Sequence, residues 1–350
     1  MNIAFHPYNL QMRHPFRIAH FSRTHTAIVL TQIQLNGFVG LGEATMPPYY
    51  GENVETITAF LAKASFVLKK QAYPFDIQEI MSEVELIDFK NTAAKASIDI
   101  ALYDLKGKIE GIPVWKMLGS NPANMPKTSC TLGIDTPSVL KQKVAEAAAF
   151  EVLKIKLGSG DDKAIIKTIR EMTDKPLYVD ANQGWTDKYE ALDMAHWVAE
   201  QGVELIEQPM PKEDLEGNAF VTEGSPIPII ADESFQRFTD FATIQGAFHG
   251  INIKLMKCTG LTEALKMVHE ARRRDLKILI GCMSETSCGI MAAAALAPQC
   301  DWADLDGPWL VTNNPFATPV LSVGNEREKG GRILLSEEVG LGIVSYEQLK

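Results

Sequence analysis

Short β-prone runs alternate with amphipathic segments along the second half of this 350-residue chain. The intervening segment at 262–274 carries apolar residues at helical spacing, and the one at 189–201 is followed by a glycine, as helices often are. Because strands joined by helices pair in parallel, this alternation predicts an α/β fold with a (β/α)8-type, or TIM, barrel, trimmed to (β/α)7β. The eight predicted strands lie at 128–133, 152–157, 177–180, 204–207, 227–231, 251–255, 278–281 and 302–305.

The residues before the predicted barrel show a different sequence pattern. β-Rich runs at 27–35 and 39–43 flank a glycine-containing turn and predict a small antiparallel meander. From 55 to 118 the apolar residues recur at spacings of three and four, which predicts helices. We therefore expect an α+β N-terminal capping domain.

The turn-rich junction Gly-Ser-Asn-Pro at 119–122 marks the expected boundary between the two domains. We expect the capping domain over 1–122 and the catalytic barrel over 123–314. The tail at 315–350 leaves the repeat, and we expect it to return to the capping domain and complete it.

Composition argues against several classes of partner. Lysine and arginine number 34 against 44 aspartates and glutamates, a net charge of −10, whereas phosphate backbones need a basic face. The longest apolar stretches, such as 291–298, are shorter than the ~20 residues of a membrane span. No basic segment leads into an apolar one at the N-terminus, so we expect a cytoplasmic protein that binds neither membrane nor nucleic acid. Five scattered cysteines without a CxxC favour reduced thiols over a zinc site.

Charged residues end several of the predicted strands, where the active site of a parallel barrel forms. The second strand ends Leu-Lys-Ile-Lys-Leu, and alternation places Lys154 and Lys156 on the same, inner face. The next three strands end at Asp180, Glu207 and Asp232, one carboxylate each, separated by 25 to 27 residues. Carboxylates that converge in this way repel one another unless a cation neutralises them, and oxygen ligands favour Mg²⁺. The alternative is that each acid caps the helix after its strand.

Further charges end the sixth and eighth strands. Lys254 is flanked by Ile253 and Leu255 and is expected to face the lysine pair across the barrel, whereas Lys257 is expected to be a solvated lysine on the rim. The eighth strand ends Asp304-Leu-Asp306, two acids on one face. Spacing alone leaves two alternatives for them, contact with a positive substrate group or capping of the following turn.

The order Lys-x-Lys, Asp, Glu, Asp and Lys on consecutive strands resembles the muconate-lactonizing-enzyme subgroup of the enolase superfamily. The run Ser-Ile-Asp-Ile-Ala-Leu-Tyr-Asp-Leu-Lys-Gly-Lys at 97–108, followed by Gly-Ile-Pro-Val at 111–114, is similar to the helix and turn of that family's capping domain. The Asp304–Asp306 pair resembles the one with which dipeptide epimerases hold the substrate's ammonium group, which favours contact with substrate over capping.

The resemblance implies a role for each strand-end residue. One Mg²⁺ per subunit is held by Asp180, Glu207 and Asp232, with Asn182 and Glu233 supporting these ligands. Lys156 and Lys254 are the acid/base pair and Lys154 is an electrostatic helper that also contacts substrate. The implied reaction is a two-lysine 1,1-proton transfer through an enolate, which inverts the α-carbon of an L,L-dipeptide and makes the enzyme an isomerase.

Substrate specificity is expected to lie in the capping domain. Ala-Glu epimerases of this family carry an arginine shortly after a Pro-Phe-Arg/Lys stretch, and an ungapped comparison puts Phe21 at that position, with Arg23 close by. Phe21 and Tyr50 are expected to read the side chain, so the hypothesis is an L-Ala-L-Xaa substrate with a hydrophobic C-terminal residue.

Alternatives within the family are an L-Ala-D/L-Glu epimerase, an o-succinylbenzoate synthase and a muconate-type cycloisomerase. A non-enzyme alternative is a metal-dependent carboxylate-binding barrel, which gives no reason for acid/base lysines on two sides of the site. We also expect a homo-oligomer.

Overall fold

The computed structural model describes residues 1–18, 21–47, 50–323 and 330–343. An antiparallel three-stranded sheet opens the chain, in the order β1 (Asn2–Ile18), β2 (Phe21–Leu35) and β3 (Phe38–Thr45). Both β1 and the first part of β2 extend beyond the predicted meander. They lack the apolar runs by which strands are recognised, because most of their residues are exposed or only half buried.

Helices cover one face of this sheet, as the helical spacing predicted. They are α1 (Val54–Leu68), α2 (Ile77–Glu85), α3 (Thr92–Glu110) and α4 (Val114–Met117). The long helix α3 packs against β3 at very short range, because Gly40 and Gly42 present no side chain to it. A Cβ atom at Gly42 would overlap the carbonyl oxygen of Ser97 in α3.

Eight parallel strands form the second sheet, which confirms the predicted barrel. Neighbouring strands pair in chain order, and a bridge between Thr128 and Ala303 brings the last strand back to the first. The strands are β4 (Ser129–Leu132), β5 (Val152–Lys156), β6 (Leu177–Asp180), β7 (Val203–Glu207), β8 (Ile229–Ala231), β9 (Gly250–Lys254), β10 (Lys277–Gly281) and β11 (Trp302–Asp304).

Helices follow most of these strands, and within the described part of the chain β11 is followed only by a four-residue helix, α11 (Gly307–Leu310). The barrel is therefore trimmed at its last repeat, as expected for (β/α)7β. After β8 a short 3-10 turn at Phe238–Ala242 takes the place of a longer helix. The longer helices are α5 (Pro137–Glu146), α6 (Asp162–Arg170), α7 (Lys188–Glu200), α8 (Leu215–Gly224), α9 (Leu261–Arg273) and α10 (Ser287–Leu296).

The inside of the barrel changes character along its axis. Near the amino ends of the strands it is filled by a compact apolar cluster of Val152, Tyr178, Leu205, Ile230 and Leu279. Successive side chains of a strand point to opposite faces, so Val152, Lys154 and Lys156 all lie on the inner face of β5. The apolar layer closes the barrel below and leaves the charged layer at its carboxyl end.

Buried acids join the capping region to the barrel. Glu43 of β3 is fully buried and accepts hydrogen bonds from the backbone of Thr286 and Gly289 at the start of α10. Asp99 of α3 accepts hydrogen bonds from the backbone and hydroxyl of Thr262 at the start of α9. Both acids lie at helix N-termini, where negative charge is favourable, and both fix the capping helices and strands over the barrel mouth.

The C-terminal tail also contacts the capping region. The backbone of Gly340 exchanges hydrogen bonds with Ile112 and Val114, and the amide of Leu341 donates to the buried carboxylate of Asp104. The domain boundaries at 122 and 314 stay predictions. Among the described residues, no helix combines the length and apolar character needed to cross a membrane.

We expect the Gly42→Ala variant to lose about 3 kcal/mol or more of its free energy of unfolding, because the added methyl group forces α3 away from β3. Urea denaturation followed by circular dichroism measures the loss. Thr24→Ala, at an exposed position of β2, serves as the control and is expected to change stability by less than about 0.5 kcal/mol. Equal stability of Gly42→Ala and the parent protein would contradict the close approach.

Candidate active site

Parallel pairing places the charged strand ends at one level of the barrel. Lys156 of β5 pairs in register with Asp180 of β6, which pairs with Glu207 of β7. On the other side, Gly281 of β10 is in register with both Lys254 of β9 and Asp304 of β11. The charged residues therefore form a ring at the carboxyl edge of the sheet.

Lys154 occupies the centre of this ring. Its Nζ atom lies 2.8 Å from Asp304 Oδ2, 2.5 Å from Glu207 Oε2 and 3.2 Å from Asp180 Oδ2. Burial by itself lowers the pKa of the ammonium group, but these carboxylates together raise its pKa well above the usual value. Lys154 is thus a fixed positive charge that links Asp304 to the acids on β6 and β7.

The other two predicted lysines approach the ring from different strands. Lys156 Nζ lies 2.5 Å from Asp180 Oδ2, and Lys254 Nζ lies 2.7 Å from Asp232 Oδ2 and 3.6 Å from Glu207 Oε1. The pKa of Lys254 is lowered by burial, but Asp232 and Glu207 raise it well above the usual value. The ammonium group of Lys156 therefore contacts Asp180, whereas that of Lys254 contacts Asp232.

Asp180, Glu207 and Asp232 together suit a hard divalent cation. One carboxylate oxygen from each lies within 4.8 Å of the others, and all three residues are buried. Burial raises the pKa of all three acids, but the neighbouring lysines bring the pKa values of Asp180 and Asp232 below the usual one. Burial and the charge of Asp180 raise the pKa of Glu207 to about 7. These oxygen ligands are of the type that Mg²⁺ prefers, and they could hold it.

Asn182 and Glu233 stand next to this triad, each following a strand. The amide of Asn182 donates to Asp180 Oδ1 at 2.9 Å, and its Nδ2 donates to Glu233 Oε1 at 3.3 Å. Burial and the charge of Asp232 raise the pKa of Glu233 to about 8. The backbone of Asn182 therefore helps to hold the Asp180 carboxylate in position, and the Asn182 side chain links it to Glu233.

Lys257 differs from the sequence-based expectation. The prediction of a solvated rim lysine is wrong, since only 1% of its surface is exposed. Its Nζ lies 2.5 Å from Asp232 Oδ1 and donates to the carbonyl oxygens of Asp232, Phe235 and Asn252. A tight turn after β9 directs Lys257 back into the barrel, which strand alternation alone does not predict.

Asp304 and Asp306 lie at the seam between β11 and β4. Ser129 Oγ donates to Asp304 Oδ1 at 2.7 Å, and the backbone amide of Thr131 donates to Asp306 Oδ2 at 2.5 Å. Burial and the charge of Asp304 raise the pKa of Asp306 to about 7. Sequence reasoning missed Ser129 and Thr131, although alternation along β4 places both on its inner face.

Glu285 is a further acid that sequence reasoning missed. It follows β10, is buried and accepts a hydrogen bond from the amide of Met283 at 2.7 Å. Burial and the charge of Glu43 raise its pKa to about 8. Strand-end register could not have found it, because Gly281 occupies the equivalent strand end and Glu285 lies four residues further along the chain.

A cavity of about 50 Å³, here called the barrel-mouth cavity, lies above the ring. Ligand pockets usually enclose about 300–1,000 Å³, so side chains must move to admit a substrate. Among the described residues, its lining includes Arg23 and Tyr50 but not Phe21, which pairs with Ile18 in the capping sheet. Arg23 Nη2 donates to Ser284 Oγ at 2.7 Å. The remaining lining residues are Phe16, Ile18, Pro47, Thr131, Lys154, Lys156, Asn182, Asp232, Glu233, Lys254, Cys282, Met283, Ser284, Asp304, Asp306 and Leu310.

The fold and this ring of charges define a class of protein, and comparison with known families agrees. Residues 3–119 match the mandelate racemase / muconate lactonizing enzyme N-terminal domain, and residues 139–349 match the enolase C-terminal domain-like family. The chain belongs to the enolase superfamily and, within its muconate-lactonizing-enzyme subgroup, to the dipeptide epimerases, which confirms the predicted relationship.

Individual relatives cover almost the whole chain. An L-Ala-D/L-Glu epimerase from Bacteroides thetaiotaomicron is 49% identical over 98% of this chain and 88% of its own. A dipeptide epimerase from Enterococcus faecalis, complexed with Mg and the dipeptide L-Leu-L-Tyr, has a TM-score of 0.87 and 34% identity over 99% of both chains. A substrate-liganded L-Ala-D/L-Glu epimerase from Bacillus subtilis has a TM-score of 0.88 and 28% identity over 99% of this chain and 98% of its own.

The Lys257→Met variant tests the structural importance of the buried lysine. We expect it to lose about 3–5 kcal/mol of its free energy of unfolding, because Asp232 and three carbonyl oxygens lose a buried cationic donor. Chemical denaturation measures this loss. Lys277→Met removes an exposed lysine and is expected to change stability by less than about 0.5 kcal/mol. An equally small loss of stability in Lys257→Met and Lys277→Met would contradict the structural importance of Lys257.

Proposed function

We propose that this protein is a Mg²⁺-dependent isomerase that epimerises dipeptides of the L-Ala-L-Xaa type by 1,1-proton transfer. The observation that carries the proposal is the ring itself. Lys156 and Lys254 contact opposite members of a metal-binding type of carboxylate triad, and Asp304 and Asp306 lie in the same cavity. The names of the relatives support this assignment.

The aspartate pair accounts for the amino end of the substrate. Asp304 and Asp306 offer buried carboxylates to an ammonium group, while Ser129 and Thr131 hold their oxygens in place. An o-succinylbenzoate synthase or a muconate-type cycloisomerase acts on a substrate without an ammonium group and has no need of this pair. The pair therefore favours a dipeptide over those substrates.

The carboxylate triad accounts for the metal. Asp180, Glu207 and Asp232 would hold Mg²⁺, which when bound offsets the negative charge that forms on the substrate carboxylate as the α-proton leaves. Lys154 adds a positive charge from the protein beside these acids, since its Nζ lies 2.8 Å from Asp304 Oδ2 and contacts Asp180 and Glu207.

The two remaining lysines account for inversion. A proton removed by one lysine and returned by the other reaches the opposite face of the α-carbon, whereas a single base returns it to the same face. In one direction Lys254, as the ammonium form, donates a proton. Lys156 would then remove the proton in that direction, and the roles reverse in the other. A carboxylate-binding barrel without catalysis would not need this pair.

We expect the Lys254→Ala variant to lose epimerisation by at least about a hundredfold, because one of the two proton-transfer groups is missing. Proton NMR in deuterium oxide with Mg²⁺ measures loss of the C-terminal α-proton and appearance of the diastereomer. The variant is expected to exchange the α-proton of one diastereomer without inverting it. Lys70→Ala, at an exposed position, is the control. Retained inversion in Lys254→Ala would contradict the two-lysine mechanism.

The residues that line the barrel-mouth cavity indicate which C-terminal side chain the substrate carries. The hypothesis of a hydrophobic residue places Phe21 at the side-chain position, but Arg23 occupies the wall, with its guanidinium carbon 5.5 Å from the centre of the Phe16 ring. A half-buried guanidinium favours a carboxylate, so Arg23 supports L-Ala-L-Glu as the preferred substrate. Ile18 and Pro47 in the same wall keep a hydrophobic residue as the second candidate.

The Arg23→Met variant distinguishes the two candidates. We expect kcat/KM for L-Ala-L-Glu to fall about thirtyfold or more, equivalent to about 2 kcal/mol, because the substrate carboxylate loses its charged partner. For L-Ala-L-Leu the value is expected to stay within threefold or to rise. Arg273→Met removes an exposed arginine of α9 and controls for net charge. Equal loss with both dipeptides, or a parent enzyme that prefers L-Ala-L-Leu, would favour the hydrophobic candidate.

A homo-oligomer in the cytoplasm also stays a prediction. Size-exclusion chromatography with light scattering tests the oligomeric state directly.

A further inference from the structure

An amide side chain interrupts the apolar layer beneath the ring of charges. Asn252 of β9 pairs in register with Leu279 of β10, which belongs to that apolar layer. Strand alternation places Asn252 on the same inner face as Lys254, and the residue is fully buried. A buried amide destabilises a protein unless hydrogen bonds replace those that it made with water, so an amide at this level needs a specific partner.

The partner of the amide is an acid of the proposed metal site. Asn252 Nδ2 donates a hydrogen bond to Glu207 Oε1 at 2.8 Å. Two charged groups also contact this carboxylate, because Lys154 Nζ lies 2.5 Å from Oε2 and Lys254 Nζ lies 3.6 Å from Oε1. Asn252 therefore adds a neutral donor, which fixes the Oε1 atom without adding charge to the site.

The backbone of Asn252 supports a second acid of the triad. Its carbonyl oxygen accepts a hydrogen bond from Lys257 Nζ at 3.2 Å, and Lys257 Nζ lies 2.5 Å from Asp232 Oδ1. One residue of β9 thus holds Glu207 directly and supports Asp232 through Lys257. These two acids end neighbouring strands, so Asn252 helps to set the position of one carboxylate relative to the other.

A glycine on the neighbouring strand leaves the space that the amide occupies. A Cβ atom at Gly281 of β10 would lie 2.6 Å from Asn252 Oδ1 and 2.9 Å from Asn252 Nδ2, so a side chain there would displace the amide group. Within the described part of the chain, Asn252 Oδ1 has no hydrogen-bond partner. A buried oxygen without a partner is unfavourable, and the hydrogen bond to Glu207 is the contact that offsets it.

We infer that Asn252 is a positioning residue of the metal site, which holds the Glu207 carboxylate in the orientation that binds Mg²⁺. Asn252 is absent from the lining of the barrel-mouth cavity, so within the described structure it acts through Glu207 rather than on the substrate. The inference rests on the proposed Mg²⁺-dependent function and deepens it, because it assigns a residue that sets the metal affinity. Groups that orient a ligand from outside typically change metal affinity by about 10- to 100-fold.

The Asn252→Leu variant tests this role. Leucine has a similar size and suits the apolar layer, so the substitution removes the donor without emptying the space. Isothermal titration calorimetry with MgCl₂ is expected to show a Kd about tenfold higher or more than that of the parent enzyme. The Mg²⁺ concentration that gives half-maximal epimerisation is expected to rise by the same factor.

Asn218 of α8 provides a matched control. It is also fully buried, its Nδ2 donates to the carbonyl oxygens of Pro211 and Asp214, and its Oδ1 has no partner among the described residues. Asn218→Leu is expected to lower the melting temperature but to keep the Kd for Mg²⁺ within about twofold of the parent value, since its amide contacts no metal ligand. An equal loss of Mg²⁺ affinity in the two leucine variants would overturn the inference.

The Gly281→Ala variant approaches the same contact from β10. It keeps the amide but displaces it from Glu207, because the added methyl group overlaps the amide atoms. We expect the Kd for Mg²⁺ to rise about fivefold or more. Thermal unfolding without metal identifies a variant that fails to fold, and the other variant then supplies the result.

The outcomes separate the inference from the function on which it rests. An unchanged Kd for Mg²⁺ in folded Asn252→Leu or Gly281→Ala protein would overturn the role of Asn252 while the proposed function stands. A parent enzyme that binds Mg²⁺ but exchanges the α-proton of no dipeptide would overturn the epimerase function alone. A parent enzyme that does not bind Mg²⁺ would overturn the proposed function and the inference together.

Discussion

The structure depends on compensation between buried carboxylates and buried lysines at the carboxyl end of the barrel. The single ammonium group of Lys154 contacts acids from three different strands. The ammonium group of Lys257 forms a further ion pair with Asp232. Removing either partner would leave an uncompensated charge in a medium where charge is costly. The same compensation holds each group at a defined position. Charges that catalysis requires are therefore part of what positions the strands, and the apolar layer beneath them separates this charged layer from the other end of the barrel.

The capping region depends on the barrel through a few buried acids rather than through a broad polar surface. Glu43 and Asp99 each accept hydrogen bonds at the start of a barrel helix, and glycines in β3 allow α3 to lie close to the capping sheet. These contacts hold β1 and β2 over the barrel mouth, where Phe16 and Arg23 line the cavity. The proposed division of labour follows. The rigid barrel supplies the chemistry, and the capping strands supply the groups that select the substrate.

Phe16 of the capping sheet lines the barrel-mouth cavity between the groups proposed for substrate selection and those proposed for proton transfer. The centre of its ring lies 5.5 Å from the guanidinium carbon of Arg23 and 6.0 Å from Lys156 Nζ. The Phe16 ring therefore lies beside both the arginine proposed to select the substrate and one of the lysines proposed to transfer the proton.

The sequence by itself determined the barrel, its eight strands and the identity of the charged ring, because strand alternation and a repeat of about 25 residues are local patterns that place side chains at equivalent heights. It did not determine β1, whose residues are too exposed to give an apolar signal, or the burial of Lys257, which depends on a turn. The tertiary structure decided that Arg23 lines the barrel-mouth cavity and that Ser129 and Thr131 hold the acids after the last barrel strand, since both follow from how separate elements pack against one another rather than from spacing along the chain.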